Sequence, residues 1–309
     1  MQGAGRPDAR TQVSITVPRI SIVTPSFNQA AYLEETIQSV LNQGYQNLEY
    51  VVIDGGSSDG SAEIIKHYQK DLHFWVSEKD SGHGHGLNKG FARTSGEIMA
   101  WLNSDDKYTA WSFQVVSEIF TLFPHVDWIV GFNSWWTDKG AMTHAARCPK
   151  NIFDFLLGNY AWIQQESVFW RRSLWDKAGG FINEDYRLMI DGELWTRFFL
   201  YADLYSVDCI LGGYRVHSDT RASANYEACL QEMHRAVSRL MRNCSPERRQ
   251  TLARLKLVRD FERIPLLRRL PLSQLARKVL FPSAFNDAGY KNIFYDHGEW
   301  VERKLQFSL

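Results

Sequence analysis

Residues 98–108 read IMAWLNSDDKY, an apolar run that ends directly on Asn103, Ser104, Asp105 and Asp106. Two adjacent carboxylates at the end of a buried-type strand are costly unless a positive group engages them. Hard divalent cations take oxygen ligands of this kind. Two more polar loops follow apolar runs: DGGSSDG, which holds Asp54 and Asp59, comes after LEYVVI, and DSGHGHG, which starts at Asp80, comes after HFWVSEK. Such Asp-rich strand ends suit a nucleotide gripped through its base and ribose, with its diphosphate bridged by a metal ion.

The elements that must position these loops alternate in type. RISIVTPSFN (19–28) is a β-branched run broken by Pro25, and AAYLEETIQSVLNQG (30–44) then places Leu33, Ile37, Val40 and Leu41 at helical spacing up to Gly44. The second apolar run leads through its Gly/Ser loop to a helix expected near Ser61. HFWVSEKDSG gives a third strand, HGLNKGFARTSG a short helix and EIMAWLNSDD a fourth strand. Strand–helix alternation predicts an α/β fold with a doubly wound, mostly parallel sheet. In open sheets of this kind ligands bind beyond the carboxyl ends of the strands. The loops 25–28, 54–59, 80–86 and 103–106 should therefore converge on one crevice.

Composition excludes several classes. The 309 residues, 44% hydrophobic and 23% charged, suit a globular chain of about two domains. No apolar stretch reaches the roughly 18 residues a membrane span needs, and the N-terminus lacks a signal-peptide pattern, so a cytoplasmic protein is expected. Cys148, Cys209, Cys229 and Cys244 form no CxxC pair and read as free thiols. The net charge of zero conceals an asymmetry, because residues 235–309 carry sixteen Lys/Arg against seven Asp/Glu. No known nucleic-acid motif accompanies that basic segment, so nucleic acid is not an expected partner.

The ordered set of motifs resembles the family 2 glycosyltransferases of the GT-A fold. It comprises ISIVTPSFNQAAYLEETIQSVLNQG, VVIDGGSSDGS, LNKG (87–90), SDD (104–106), KAGGFINEDYRLMIDGELWTRF (177–198) and YRVHSDTRAS (214–223), and covers roughly residues 19–220. The resemblance implies the GT-A nucleotide-diphospho-sugar transferase fold and an inverting transfer in a single displacement. The donor would be a nucleoside diphosphate sugar, with UDP the leading nucleotide, and the acceptor a hydroxyl of a glycan or lipid-linked sugar. The division it implies is a flexible leader (1–17), a nucleotide-sugar-binding half (18–130), an acceptor-binding half with the catalytic base (131–226) and a basic helical C-terminal extension (227–309).

Carried over by position, the resemblance makes Pro25, Phe27 and Asn28 walls of the nucleotide site and Asp54 an acceptor from the base edge, with Asp59 along the ribose. Asn88 and Ser104 join the donor site. The family's common Asp-x-Asp is altered, because Asn103 stands at its first position. Mg²⁺ or Mn²⁺ then falls chiefly to Asp105, with Asn103 bonding sugar or ribose hydroxyls and Asp106 behind the metal or against the sugar. His217 is a second metal or diphosphate ligand, and Arg215 and Arg221 would neutralise diphosphate charge. Asp191 is the general base, with Glu193 in reserve, and Ile190 stands where the family usually has Glu. His83 and His85 border the donor sugar, Gln164, Gln165 and Glu166 open the acceptor half, and Trp135, Trp136 and Trp162 could stack on sugar faces.

Simpler readings exist for several of these. DGGSSDG can be a tight turn that only satisfies its own backbone. Asn103–Asp106 can cap a helix starting near Thr109, an acid in a first helical turn can complement the dipole, and His217 can be a core histidine. At the level of function, the alternatives are a nucleotidyltransferase that makes the nucleotide-sugar and a non-catalytic binding module on the same fold. The first lacks an early Gly-rich loop with Arg and Lys at TPSFNQ. The second is disfavoured by retention of Asp105 together with Asp191.

Residues 245–285 interleave Leu, Ile, Val and Phe with Arg and Lys, cut by Pro265 and Pro271. Leu272, Leu275, Ala276, Val279 and Leu280 keep helical spacing beside Arg268, Arg269, Arg277 and Lys278. That pattern predicts peripheral docking on an anionic membrane surface, useful for a lipid-linked acceptor. Packing on the catalytic domain, or a homo-oligomer contact, is the alternative.

Overall fold

A computed structural model describes residues 17–160, 163–217, 225–264 and 279–309. The leader up to residue 16, Trp162, Arg221 and the basic stretch 265–278, which holds Pro265, Pro271, Arg268, Arg269, Arg277 and Lys278, lie outside the described residues.

The strand–helix grammar is realised as β1 (Ile20–Ser26), α1 (Ala30–Leu41), β2 (Leu48–Asp54), α2 (Ser61–His67), β3 (Phe74–Ser77), α3 (His83–Phe91) and β4 (Ile98–Trp101). β1, β2 and β4 are buried on both faces, as parallel strands flanked by helices must be, while β3, at the sheet edge, is only half-buried. After β4 the chain makes a turn and forms a short strand, β5 (Lys107–Tyr108), before α4 (Ser112–Leu122). Asn103–Asp106 therefore does not cap a helix near Thr109, because β5 intervenes.

The second half supplies β6 (Trp128–Val130), β7 (Asn133–Trp136), β8 (Met142–Ala146), α5 (Ile152–Leu156), a 3₁₀ turn (Gln165–Ser167), β9 (Val168–Arg171), α6 (Arg172–Lys177), α7 (Ile190–Phe198), β10 (Tyr205–Val207) and β11 (Gly212–Arg215). The C-terminal part contains α8 (Tyr226–Asn243), α9 (Pro246–Glu262), α10 (Pro282–Asp287), β12 (Tyr290–Asp296) and β13 (Glu299–Leu305).

One nine-stranded sheet takes the order β13-β12-β10-β6-β9-β4-β1-β2-β3. β1 runs parallel to β2 and β4, and β10 parallel to β6 and β12, while β9 lies antiparallel between β4 and β6. This sheet draws strands from all three expected segments after the leader. The C-terminal extension is helical only in part, since β12 and β13 pair antiparallel and extend the main sheet. A smaller, four-stranded sheet takes the order β5-β11-β7-β8.

Beneath the β4 end lies a cluster of tryptophans. Trp101 stacks on Trp195 with ring centroids 5.8 Å apart, and Trp128 tilts onto Trp195 at 5.6 Å. Trp101, Trp128, Trp170 and Trp195 are all enclosed. Large aromatic surfaces removed from water make a stiff floor. That floor joins the strand carrying Asp105 to the helix carrying Asp191.

Candidate active site

At the carboxyl end of β1, Pro25 is half-buried, while Phe27 is 52% exposed, unusual for a large aromatic and fitting a surface that receives a flat ligand. Asn28 adopts a left-handed backbone (φ 54°), which Asn tolerates. Its Oδ1 accepts from the backbone N–H of Ser58 at 2.9 Å, joining the loops that follow β1 and β2. Asp59 accepts from the backbone N–H groups of Ala30 and Ser61 and from the Ser61 hydroxyl. Burial alone would push its pKa up, but these bonds together hold it below the usual carboxylate range.

Asp54 stands differently from the sequence expectation. It is fully buried, and its carboxylate accepts from the backbone N–H groups of Gly56 and Ser57 and from the hydroxyls of Ser57 and Ser77. With those lone pairs engaged, Asp54 shapes the loop rather than offering itself to a base edge. Asn88 is likewise occupied: its Nδ2 donates to the Ile182 carbonyl at 2.9 Å and to Glu184 Oε1 at 2.7 Å, and its Oδ1 accepts from the Ile182 N–H. It clamps α3 to the loop before α7.

The acidic turn after β4 is held from behind. Arg215, expected on the diphosphate, is only 1% exposed and donates to the Asp105 carbonyl at 2.6 Å, the Asp138 carbonyl at 3.0 Å and Glu35 Oε2 at 2.6 Å. Its backbone N–H reaches Asp106 Oδ1 at 2.8 Å. Arg215 therefore fixes the turn's shape, and its buried, committed guanidinium does not face a diphosphate. Lys107 also pairs with Glu35, at 2.6 Å.

Asp105 points the other way. Its Oδ2 lies 3.1 Å from His217 Nε2, and the His217 ring packs on Tyr32 with centroids 4.8 Å apart. The Asp105 side chain retains about a quarter of its surface (25%) while His217 is nearly covered, so the pair presents one accessible edge. Asn103 Oδ1 is buried and lacks a hydrogen-bond partner among the described residues, although its Nδ2 donates to Asp106 Oδ2. Carboxylate and amide oxygen are suitable donors for Mg²⁺ or Mn²⁺, and the imidazole lies beside them. No group of three or more His, Cys, Asp or Glu among the described residues could close around a metal unaided. Asp106 and Ser104 are buried behind Asp105. Burial, then the charges of Glu166 and Asp105, push the Asp106 carboxyl well above its ordinary range.

Asp191 sits in the first turn of α7 and accepts from the N–H of Gly192 at 2.7 Å. Burial, opposed by this hydrogen bond and aided by Glu232, pushes its pKa up to about 6. Glu193 has another job. It is 1% exposed, and Arg197 donates to both of its oxygens, at 3.2 and 3.0 Å. Arg197 also ties α7 to the carbonyls of Ala178 and Phe181, which leaves Glu193 structural.

Two further acids lie around Asp191: Glu232, without a role in the sequence reading, and Glu166, placed there only at the opening of the acceptor half. Glu232 of α8 accepts from three successive N–H groups just ahead of α7. Glu166 of the 3₁₀ turn is buried, and its Oε1 has no partner among the described residues. Burial, then the charges of Asp191 and Asp105, push it up to about 8. No short motif marks either acid, since both meet the site only through the fold. Trp135 stacks on His144 and Trp136 lies under Lys107, so neither ring is left as a bare platform. His83 and His85 start α3 beside the Asp80 loop.

Residues 21–126 match the family model for glycosyl transferase family 2. The matched segment makes up about a third of the chain. Over 94 residues it is 37% identical to a putative teichuronic acid biosynthesis glycosyltransferase (TuaG) of Bacillus subtilis, a match that spans 29% of this chain and 37% of that protein. An uncharacterized glycosyltransferase of Mycobacterium tuberculosis is 29% identical over 201 residues, covering 63% of this chain and 74% of the other. The fold is that of S. aureus TarS 1-349, solved in complex with UDP-GlcNAc, at TM-score 0.62 and 17% identity over 87% of this chain and 80% of that one. The mannosyltransferase PcManGT of Pyrobaculum calidifontis, in complex with GDP-Man and Mn²⁺, superposes at TM-score 0.52 and 17% identity, over 86% and 88% of the two chains.

Proposed function

We propose that this protein transfers a sugar from a nucleoside diphosphate sugar, with UDP as the leading nucleotide, to a hydroxyl of a glycan or lipid-linked acceptor in one inverting displacement. The observation that carries this reading is the Asp105–His217 pair, 3.1 Å apart and accessible on one edge, at the carboxyl end of β4. A bound Mg²⁺ or Mn²⁺ would supply positive charge to the departing diphosphate. Asp105 and His217 are the side chains to hold it, with Asn103 Oδ1 beside them and Arg215 bracing the turn. Asp191 takes the proton of the attacking hydroxyl. A carboxyl with a pKa near 6 is ionised at neutral pH yet more basic than an ordinary aspartate, which suits a general base.

Relatives and neighbours support the choice of probes. TarS was solved with UDP-GlcNAc and PcManGT with GDP-Man, while the Bacillus relative is named as a putative teichuronic acid biosynthesis glycosyltransferase. Calorimetric titration of UDP-GlcNAc, UDP-glucose, UDP-galactose and GDP-mannose, each with and without MnCl₂, tests the reading. Metal-dependent binding of at least one is expected, and binding of none overturns it.

For location, we propose reversible docking on an anionic membrane through the C-terminal part. Leu257, Phe261 and Ile264 of the α9 region and Val279 and Leu280 before α10 are exposed, in the segment with the chain's excess of Lys and Arg. Apolar side chains among cations match the chemistry of an acidic lipid surface. No helix among the described residues is long and apolar enough to cross a membrane.

A further inference from the structure

In a single displacement the sugar ring must lie between the departing diphosphate and the attacking hydroxyl. On the reading above, Asp105 marks the first of these positions and Asp191 the second. The carboxyl that feels the charge of both is Glu166.

Its setting is rigid. Gln164 donates through Nε2 to the Ser134 carbonyl at 3.0 Å and accepts the Ser134 N–H at 2.6 Å, fastening the turn to β7. Gln165 donates to the Trp101 carbonyl at 2.6 Å, fastening it to the end of β4. The β11 backbone closes in at Gly212, where a Cβ would come within 2.1 Å of the Glu166 carbonyl oxygen, so only glycine permits the approach. Glu166 is 3% exposed, and its Oε1 lacks a partner among the described residues, as does Gln165 Oε1 on the same turn. Native proteins leave few buried polar atoms unmatched, and each one left calls for an explanation such as strain, a catalytic or binding role, or a bound water or ion.

We propose that Glu166 is a substrate-binding residue of this site, its carboxyl taking a hydroxyl of the hexose that lies between Asp105 and Asp191. The inference rests on the glycosyltransferase reading. A carboxyl accepts a hydrogen bond from a sugar hydroxyl and, when protonated, donates one as well. A site built to hydrogen-bond a hydroxyl discriminates strongly against ligands that lack it. Glu166 thereby becomes a determinant of which sugar is accepted, separate from the groups that hold the nucleotide.

The test compares binding of a nucleoside diphosphate with that of its sugars, with MnCl₂ present: UDP against UDP-GlcNAc, UDP-glucose and UDP-galactose, and GDP against GDP-mannose. Wild-type protein should bind one hexose conjugate more tightly than the bare diphosphate. In Glu166→Ala that advantage should fall at least tenfold, while the Kd for the bare diphosphate stays within about twofold, which also shows that the variant is folded. Glu166→Gln, which keeps a donor and an acceptor at the same reach, should recover most of the advantage. Equal loss of diphosphate and conjugate binding in the alanine variant means a structural role and overturns the inference, as does an undiminished advantage. A wild-type protein that binds UDP or GDP but gains nothing from any hexose also overturns it. Binding of neither diphosphate nor conjugate instead defeats the glycosyltransferase reading itself.

Discussion

Glu232 accepts the backbone N–H of Met189 at 2.8 Å, one residue ahead of the helix that begins with Ile190 and Asp191. The N–H groups of Arg187 and Leu188 reach the same carboxylate at 3.0 Å each. One side chain from α8 thus satisfies three successive donors and sets the direction in which the helix starts. Glu232→Ala should lower kcat by roughly tenfold, an order of loss expected when a base is displaced by a fraction of an ångström. The Kd for the donor should not move, and Glu232→Gln should restore part of the rate. A parallel fall in donor affinity would instead mean that the whole crevice had loosened.

Asp105→Ala should abolish metal-dependent donor binding, because the diphosphate then loses the carboxylate that positions its cation. Titration of donor with and without Mn²⁺ reads this directly. Unchanged affinity and turnover would remove Asp105 from the metal site.

Asp191→Asn should keep donor binding and reduce turnover by about 10² to 10⁴, the usual range for a lost general base. The buried carboxyl gives a second signature. Its folded pKa, about 6, lies above the ordinary value of 3.8, so the folded state binds the proton more tightly and native stability drops as pH rises through that window. The asparagine variant lacks this loss. Its melting temperature relative to wild type should climb between pH 4 and pH 7, and a gap independent of pH would contradict the burial of that charge. Should Glu193→Gln show the turnover loss instead, the base is misplaced by two residues.

Glu49 provides the opposite sign. Burial alone would raise its pKa, but hydrogen bonds from Ser95, Ser21 and the Gly96 N–H lower it to about 2. Its contribution is present at neutral pH and disappears as pH falls from about 4.5 through 2. Glu49→Gln should cost about 1–2 kcal/mol at pH 7, with the deficit shrinking towards pH 3. Urea unfolding at the two pH values would show it.

Membrane docking predicts co-sedimentation with liposomes that contain anionic lipid, weakened by salt and by a Leu257→Ser, Phe261→Ser double substitution. Equal, negligible pelleting with neutral and anionic vesicles would leave these side chains as packing or contacts between copies.

The first four strands and three helices were legible because their signals are local: β-branched runs, helical spacing and Gly/Ser loops are read within a dozen residues. The acidic turn at Asn103–Asp106 and the acids of α7 announced themselves in the same way. Arg215 did not, because its role depends on Glu35, 180 residues away, and a cation enclosed by protein has the same letter as one facing phosphate. Asp54 shows the same limit, since only the folded loop reveals how many donors it satisfies. The terminal hairpin was hidden by its charges. Its one local sign was the His297–Gly298 turn, both residues with positive φ, between two alternating runs.

That hairpin also governs where the chain can be shortened. β12 covers the open side of β10, and β13, with Glu299, Glu302, Arg303 and Lys304 along it, becomes the new border of the sheet. Charged border strands resist pairing with other molecules, whereas bare apolar ones act as templates for aggregation. A chain stopped at residue 264 would retain every residue assigned to the reaction and would expose Tyr205–Val207 as an unprotected rim. Its failure would be precipitation rather than loss of chemistry, and an insoluble truncated protein would be no evidence that the last forty-five residues touch substrate.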